Sequence, residues 1–229
     1  MSPFLKICNA LKQFFFFLLI FCSISIQAQR KDYSSNRIGL QGQYALLDLN
    51  TSNFETIQES GFLVGLSKRS AFYNNFDLIF GVDFMQTSIA VNAENTTAIE
   101  QVEYTWSGAQ VKLILSYLIA GDYLSIEAGH VLQVNSKMKL DNADQSDLIV
   151  KGYTNLQAED IQEWSRVSGI VMAGISVGFT HVRLTANYQY GFTNALNKLN
   201  DQDLQLKDPA ATNFKGNLGL ITAGIVLYL

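Results

Sequence analysis

Polarity alternates with a period of two along most of this chain. A segment patterned this way is extended, with one apolar and one polar face. The clearest case is residues 182–192, where Val182, Leu184, Ala186, Tyr188, Tyr190 and Phe192 share one face. Arg183, Thr185, Asn187, Gln189 and Gly191 share the other. The same test marks residues 37–49, 61–69, 76–89, 104–119, 123–136, 166–179 and 217–229, which makes eight strands in all.

The connections between them alternate in length. Those at 70–75, 120–122 and 180–181 are short, while those at 50–60, 90–103, 137–165 and 192–216 are long. An even number of strands with strictly alternating connections predicts an all-β fold, an eight-stranded antiparallel up-and-down transmembrane barrel. No stretch beyond the N-terminus is long and apolar enough for a spanning helix. A soluble eight-stranded barrel would hide its apolar face inside and show the polar one. Aromatic placement favours the opposite arrangement. Phe76, Tyr117 and Phe179 fall near the short turns, and Tyr44, Phe62, Phe84, Tyr188 and Tyr190 near the long loops, all on the apolar face. Two aromatic girdles flanking an aliphatic band suit a bilayer.

Residues 1–28 have the layout of a secretory signal peptide. Lys6 and Lys12 precede the apolar run FFFFLLIFC at 14–22, and Ala28 stands at the expected cut before Gln29. The bulky Phe21 before Cys22 disfavours lipidation there. The expected organisation is a signal peptide over 1–28 and a barrel domain over 29–229. Both cysteines, Cys8 and Cys22, fall in the removed part, so disulfides and thiol chemistry are excluded from the mature chain. The full chain has a net charge of −4 and only 16% charged residues. This excludes the basic patch of a nucleic-acid binder and fits a surface facing lipid.

The chain stops inside its last strand. Thr222, Gly224, Leu227 and Leu229 resemble the C-terminal signal of outer-membrane proteins: a polar residue, a glycine, then two spaced hydrophobics. The final residue is Leu229, where an aromatic is usual. This resemblance implies recognition by the barrel-assembly machinery and a location in the outer membrane with both termini periplasmic. Over residues 29–229 the alternating, glycine-rich strands are also similar to the PorT-like barrel proteins of the Bacteroidetes. Some members of that family serve protein secretion. The resemblance implies an anchor or accessory role beside a protein partner, and it carries over no functional residue.

An eight-stranded barrel has room inside for side chains and little else. The polar face supplies Arg37, Asp77, Asp83, Lys112, Glu127 and Arg183, with several glutamines and asparagines. Asp83, Lys112 and Glu127 come from consecutive strands. We expect a lumenal cluster of Asp83, Lys112, Glu127 and Arg183, with Lys112 between the two carboxylates. A narrow solute path is the second reading of that polar face. Enzymatic chemistry is not expected: His130 lies on the apolar face with no serine two residues on, so no nucleophile and orienting acid accompany it. No phosphate-binding loop, dinucleotide fingerprint or metalloprotease motif occurs, and no cofactor or metal is predicted. The long loops hold 14 of the 20 acidic residues. Asp141, Asp144 and Asp147 recur without the ligand spacing of a calcium loop, which leaves a solvated acidic loop. Residues 155–165 suggest a short helix exposing Trp164 as a contact residue.

Overall fold

The computed structural model describes residues 36–95 and 98–229; the expected signal peptide lies outside the described residues. Eight long strands form the barrel wall: β1 (Arg37–Thr51), β2 (Thr56–Tyr73), β3 (Phe76–Glu94), β4 (Ile99–Ala120), β5 (Leu124–Asn135), β8 (Val167–Gly178), β9 (Val182–Gly191) and β10 (Gly216–Tyr228). Two short strands, β6 (Lys139–Leu140) and β7 (Ile149–Val150), lie between β5 and β8 in the chain. Every wall strand is antiparallel to its neighbour, and β10 pairs with β1 to close the ring.

The pairing register fixes the barrel's shape. A path perpendicular to the strands starts at Ile38 and runs through Lys68, Phe80, Leu113, His130, Val171, Tyr190 and Gly219. It returns to β1 at Asp48. The shear, from Ile38 to Asp48, is therefore 10 residues. Eight strands with this shear tilt by about 40°. On β1 the outward apolar run from Ile38 to Leu46 then spans about 20 Å of height, close to the apolar band of outer-membrane barrels.

The outward face is apolar and the inward face polar over this band. Leu40, Leu66, Phe80, Leu113, Ile126, Ile175 and Leu184 point out and are 49–61% exposed. Arg69, Asp83, Gln110, Glu127 and Arg183 point in and are buried. A water-soluble barrel cannot carry that polarity, whereas a barrel immersed in lipid requires it. Both aromatic groups sit on the outward face, with Phe76 against Tyr117 and Tyr123 edge-on to Phe179 at the short-turn end.

The structure corrects two of the four expected long loops. Only residues 52–55 join β1 to β2, and only 95–98 join β3 to β4. The reason is a change of polarity within each strand. Above Phe84 the outward residues of β3 become Gln86, Ser88 and Asn92, while the inward ones become Met85, Ile89, Val91 and Ala93. In β4, outward Glu103 and Thr105 accompany inward Val102, Tyr104 and Trp106. The strands continue past the lipid band as a paired wall whose polar side faces out, and the sequence pattern loses its phase at the crossing. The two long loops, 136–166 and 192–215, fold against the apolar side of that wall.

Candidate functional site

The lumen is stacked in layers. At the short-turn end Arg37 donates to the carbonyl of Thr180 at 2.7 Å and to Asp122 at 3.1 Å. Arg183 donates to the carbonyl of Asp122, to Ser176 and to Ser125. Two guanidiniums thus tie the β4–β5 and β8–β9 turns across the mouth.

Arg69 is the hub of the next layer. It donates to Asp77 at 3.0 Å and Ser116 at 3.1 Å, pairs with Glu127, and reaches the Tyr228 hydroxyl at 3.4 Å. All five side chains are buried. Such a cluster is tolerable only because the charges are paired and their remaining bonding positions filled. Tyr228 faces the lumen here, which explains why the aromatic near the C-terminus is one place away from the outward position.

Higher up, Lys112 pairs with Asp83 at 2.5 Å, and Gln41 donates to the same carboxylate. The expected placement of Lys112 between Asp83 and Glu127 is therefore incorrect. Glu127 is opposite Ser116 in the β4–β5 register, four residues below Lys112, or about 13 Å along the strand. Its partner is Arg69. The four expected residues divide accordingly: Asp83 with Lys112 above, Glu127 with Arg69 below, and Arg183 below again, linked to Glu127 through Ser125. Arg69 escaped the sequence reading because it ends the alternating segment, next to the turn. The signal was present, since it continues the inward phase of Gly61, Gly65 and Ser67.

Between these layers lies a cavity of about 30 Å³, lined by Gln43, Ser67, Lys112, Glu127 and Asn187 among others. That is room for about two waters. Gln43 Oε1, Ser67 Oγ and Asn187 Oδ1 have no protein hydrogen-bond partner. Ile79, Ile114 and Val131, on the strands that carry Asp83, Lys112 and Glu127, pack with Ile170 and Met172 of β8 as an apolar patch.

A layer of amides follows. Gln110 donates to Gln133 at 2.7 Å and Gln189 at 3.1 Å, and Gln133 donates to Asn135 at 2.7 Å. Asn135 in turn donates to the carbonyl of Ser165 and to Ser168. This binds the lumen floor of the cap to the 136–166 loop.

The cap above is apolar. Leu47, Ile89, Trp106, Leu156, Trp164 and Phe214 belong to one buried cluster that draws on the strand tops and both long loops. Trp164 is 0% exposed, with its ring 4.7 Å from that of Trp106. The expectation of an exposed contact residue is thus corrected. Residues 158–161 form only a short 3₁₀ turn, and the chain after it carries Trp164 inward onto the inverted face of β4.

Polar latches hold the two loops together. The Asp208 carboxylate accepts from the backbone N–H groups of Thr154, Asn155 and Ala210 at 2.6–2.9 Å. These backbone donors, Asn155 and Ala210 foremost, hold its carboxyl below the usual carboxylate range. Lys207 bridges to Gln157 and Asp160, and Tyr153 donates to the carbonyl of Asn53.

The C-terminal residues straddle the closing seam. Thr222 and Gly224 face inward, whereas Leu227 and Leu229 face outward at 48% and 93% exposed. A Cβ on Gly224 would lie 2.1 Å from the Gly42 carbonyl oxygen, so glycine alone lets β10 approach β1 here. Among the described residues no group of three metal-ligating side chains occurs.

The geometry defines a closed transmembrane β-barrel with a filled lumen and an apolar cap. No protein-family model matches the sequence, and no curated protein matches it. Solved structures do. Ail, the attachment invasion locus protein of Yersinia pestis, aligns at 16% identity and a TM-score of 0.46 over 86% of this chain and all of Ail. The same protein in complex with the heparin analogue sucrose octasulfate aligns at 14% identity and a TM-score of 0.49, with the same coverage of both chains. The outer membrane protein OprG from Pseudomonas aeruginosa aligns at 9% identity and a TM-score of 0.46, over 88% of this chain and 99% of OprG.

Proposed function

We propose that this chain is a non-conducting outer-membrane barrel with a structural or interaction role, an anchor that holds a folded cap at the cell surface. The observation that carries the reading is the continuous filling of the lumen. A guanidinium layer, two ion-paired layers, an amide layer and an apolar cap succeed one another from end to end. A side chain can leave such a stack only by stripping a buried charge of its partner.

The outward apolar belt supports insertion in a bilayer. Spanning by strands rather than helices favours the outer membrane. The alternation of short turns with a cap favours termini in the periplasm and the cap outside. Thr222, Gly224, Leu227 and Leu229 would be read by the barrel-assembly machinery. The similarity in pattern to PorT-like barrels makes an accessory subunit of a secretion system a specific form of this role, with a protein partner meeting the cap or the periplasmic turns. Enzymatic activity is not part of the proposal.

A narrow path for small solutes is the competing reading, favoured by the cavity beneath the amide layer. Planar-bilayer recording separates the two. The purified barrel is expected to give no stepwise currents, and steady channels would refute the anchor reading. Co-purification from native membranes tests the partner: a stoichiometric protein is expected, and a solitary barrel would count against an accessory role.

A further inference from the structure

The outward apolar belt does not end at one height. On β2 and β3 its upper residues are Phe62 and Phe84, with Ser60 and Gln86 next outward. On β5, β8 and β9 it continues to Val134, Val167 and Phe192. With a shear of 10 residues over eight strands, a level path shifts by little more than one residue per strand from the perpendicular one. Val134, Ser107, Gln86 and Ser60 therefore share one height on β5, β4, β3 and β2. One side of the rim is apolar there, and the other carries hydroxyls and an amide.

The raised part is contiguous. Val134 pairs in register with Val167, and Leu132 with Gly169. A Cβ on Gly169 would lie 2.5 Å from the Phe192 ring, so that ring lies over the glycine. Leu132, Val134, Val167 and Phe192 are 48–57% exposed. Two cations stand just above. Arg166 adjoins Val167, and Lys137 follows the end of β5. The Arg166 carbonyl accepts from the Asn135 N–H at 2.8 Å, which holds the two strand tops together. Glu163 pairs with Lys137 and lies 3.7 Å from Arg166, so two cations share one carboxylate. Glu163 is 16% exposed, against 58% for Lys137 and 50% for Arg166. An excess positive charge is thus presented at the top of the apolar patch.

We infer that this part of the rim binds a phosphorylated lipid of the leaflet on the cap side. Lys137 and Arg166 hold its phosphate, and its acyl chains lie on Leu132, Val134, Val167 and Phe192. The inference rests on the reading that the belt lies in a bilayer. A guanidinium matches a phosphate with two parallel hydrogen bonds, and an ammonium adds a point charge. The anionic headgroup neutralises the charge that Glu163 leaves over. The acyl chains cover apolar surface that rises to a height where β2 to β4 are already polar. Only an amphiphile with an anionic end matches both halves of the site.

The test is lipid binding by the full chain purified in detergent, read by native mass spectrometry. The probes are phosphorylated lipid A and the same lipid without its phosphates. Wild type is expected to prefer the phosphorylated form. K137Q/R166Q should bind it about fivefold to thirtyfold more weakly, the worth of one to two surface cations. F192S should weaken both lipids. K151Q/K215Q, which removes two cations beside the 52–55 turn, should bind as wild type. Heat-modifiable mobility verifies that each variant is a folded barrel, and the single R166Q serves where the double variant does not fold. Equal binding of the two lipids, unchanged binding by K137Q/R166Q or by F192S, or an equal loss in K151Q/K215Q would each overturn the inference. Displacement of the lipid by an equal concentration of inorganic phosphate would overturn it in favour of a free-anion site. A second protein chain in place of lipid would overturn it in favour of a protein interface. Failure of the chain to fractionate with the outer membrane would instead refute the location on which the inference rests.

Discussion

Replacing Arg69 with methionine tests the energetic centre of the barrel. Methionine keeps most of the stem's volume and removes the guanidinium. Asp77 and Glu127, both buried, then lose their shared cation. Glu127 keeps hydroxyl contacts with Ser116 and Ser125, and Asp77 loses its only ion pair among the described residues. Breaking a buried ion pair from one side costs about 3–5 kcal/mol. Arg183, reached through Ser125, keeps some positive charge near Glu127 and places the expected loss in the lower half of that range. Urea unfolding in micelles, followed by heat-modifiable mobility, measures it. The companion variant Arg69→Met with Asp77→Leu and Glu127→Met removes all three charges. It is expected to recover to the wild-type value or above, because uniform apolar packing avoids the desolvation cost of the ions. A single variant within about 1 kcal/mol of wild type would refute the hub assignment, since surface-like substitutions fall in that range. A triple variant as unstable as the single one would show that shape, not charge, sets the cost.

Other perturbations separate the parts. Lys112→Met and Glu127→Gln have different ionic partners, so their effects on unfolding should add to within about 0.5 kcal/mol, while Arg69→Met and Glu127→Gln should be strongly non-additive; coupling between Lys112 and Glu127 would restore the single-cluster arrangement. Gly224→Val should block closure of the β1–β10 seam and abolish the heat-modifiable barrel form, because its side chain would meet the Gly42 carbonyl; normal barrel yield would refute that steric argument. The Asp208 latch predicts acid sensitivity of the cap. A carboxyl held below its unfolded value of about 3.9 contributes stability that is present above that pH and lost as pH falls through the folded value. Both tryptophans sit in the cap core, so their emission should shift red in that acid window while barrel mobility persists. Asp208→Asn should loosen the cap at neutral pH and flatten this dependence; an unchanged acid transition would place the latch elsewhere.

How far the sequence could be read depended on whether one rule held along the whole strand. Within the lipid band, alternation assigns each residue a face, and Arg183, Lys112, Asp83 and Glu127 all point inward as their phase requires. Their pairing is a different matter, because it depends on register across strands, and register is set by turns and bulges that polarity alone does not reveal. Glu127 and Lys112 look level when each is counted from its turn, yet the ladder sets them four residues apart.

Above the band the rule reverses without a break in backbone geometry. Water replaces lipid outside, and the cap replaces the polar lumen inside, so the same strand needs the opposite polarity on each face. Trp106 and Gln110 share the inward face of β4, four residues apart, one in an apolar cap and the other in an amide layer. Polarity alone assigns the upper half of such a strand to a loop, which is why 90–103 reads as one. Trp164 was misplaced for the same reason. With no wall expected above the lipid, a tryptophan in the longest loop had nothing to pack against and was assigned to solvent. With the inward face of β4 apolar from Val102 to Trp106, Trp106 stands ready to receive it, and burial of a large apolar ring against that surface follows from the hydrophobic effect. The cap is thus encoded by the loss of phase in β3 and β4: where alternation changes sign while hydrophobic residues keep their spacing of two, the strand has left the membrane and still has something to cover.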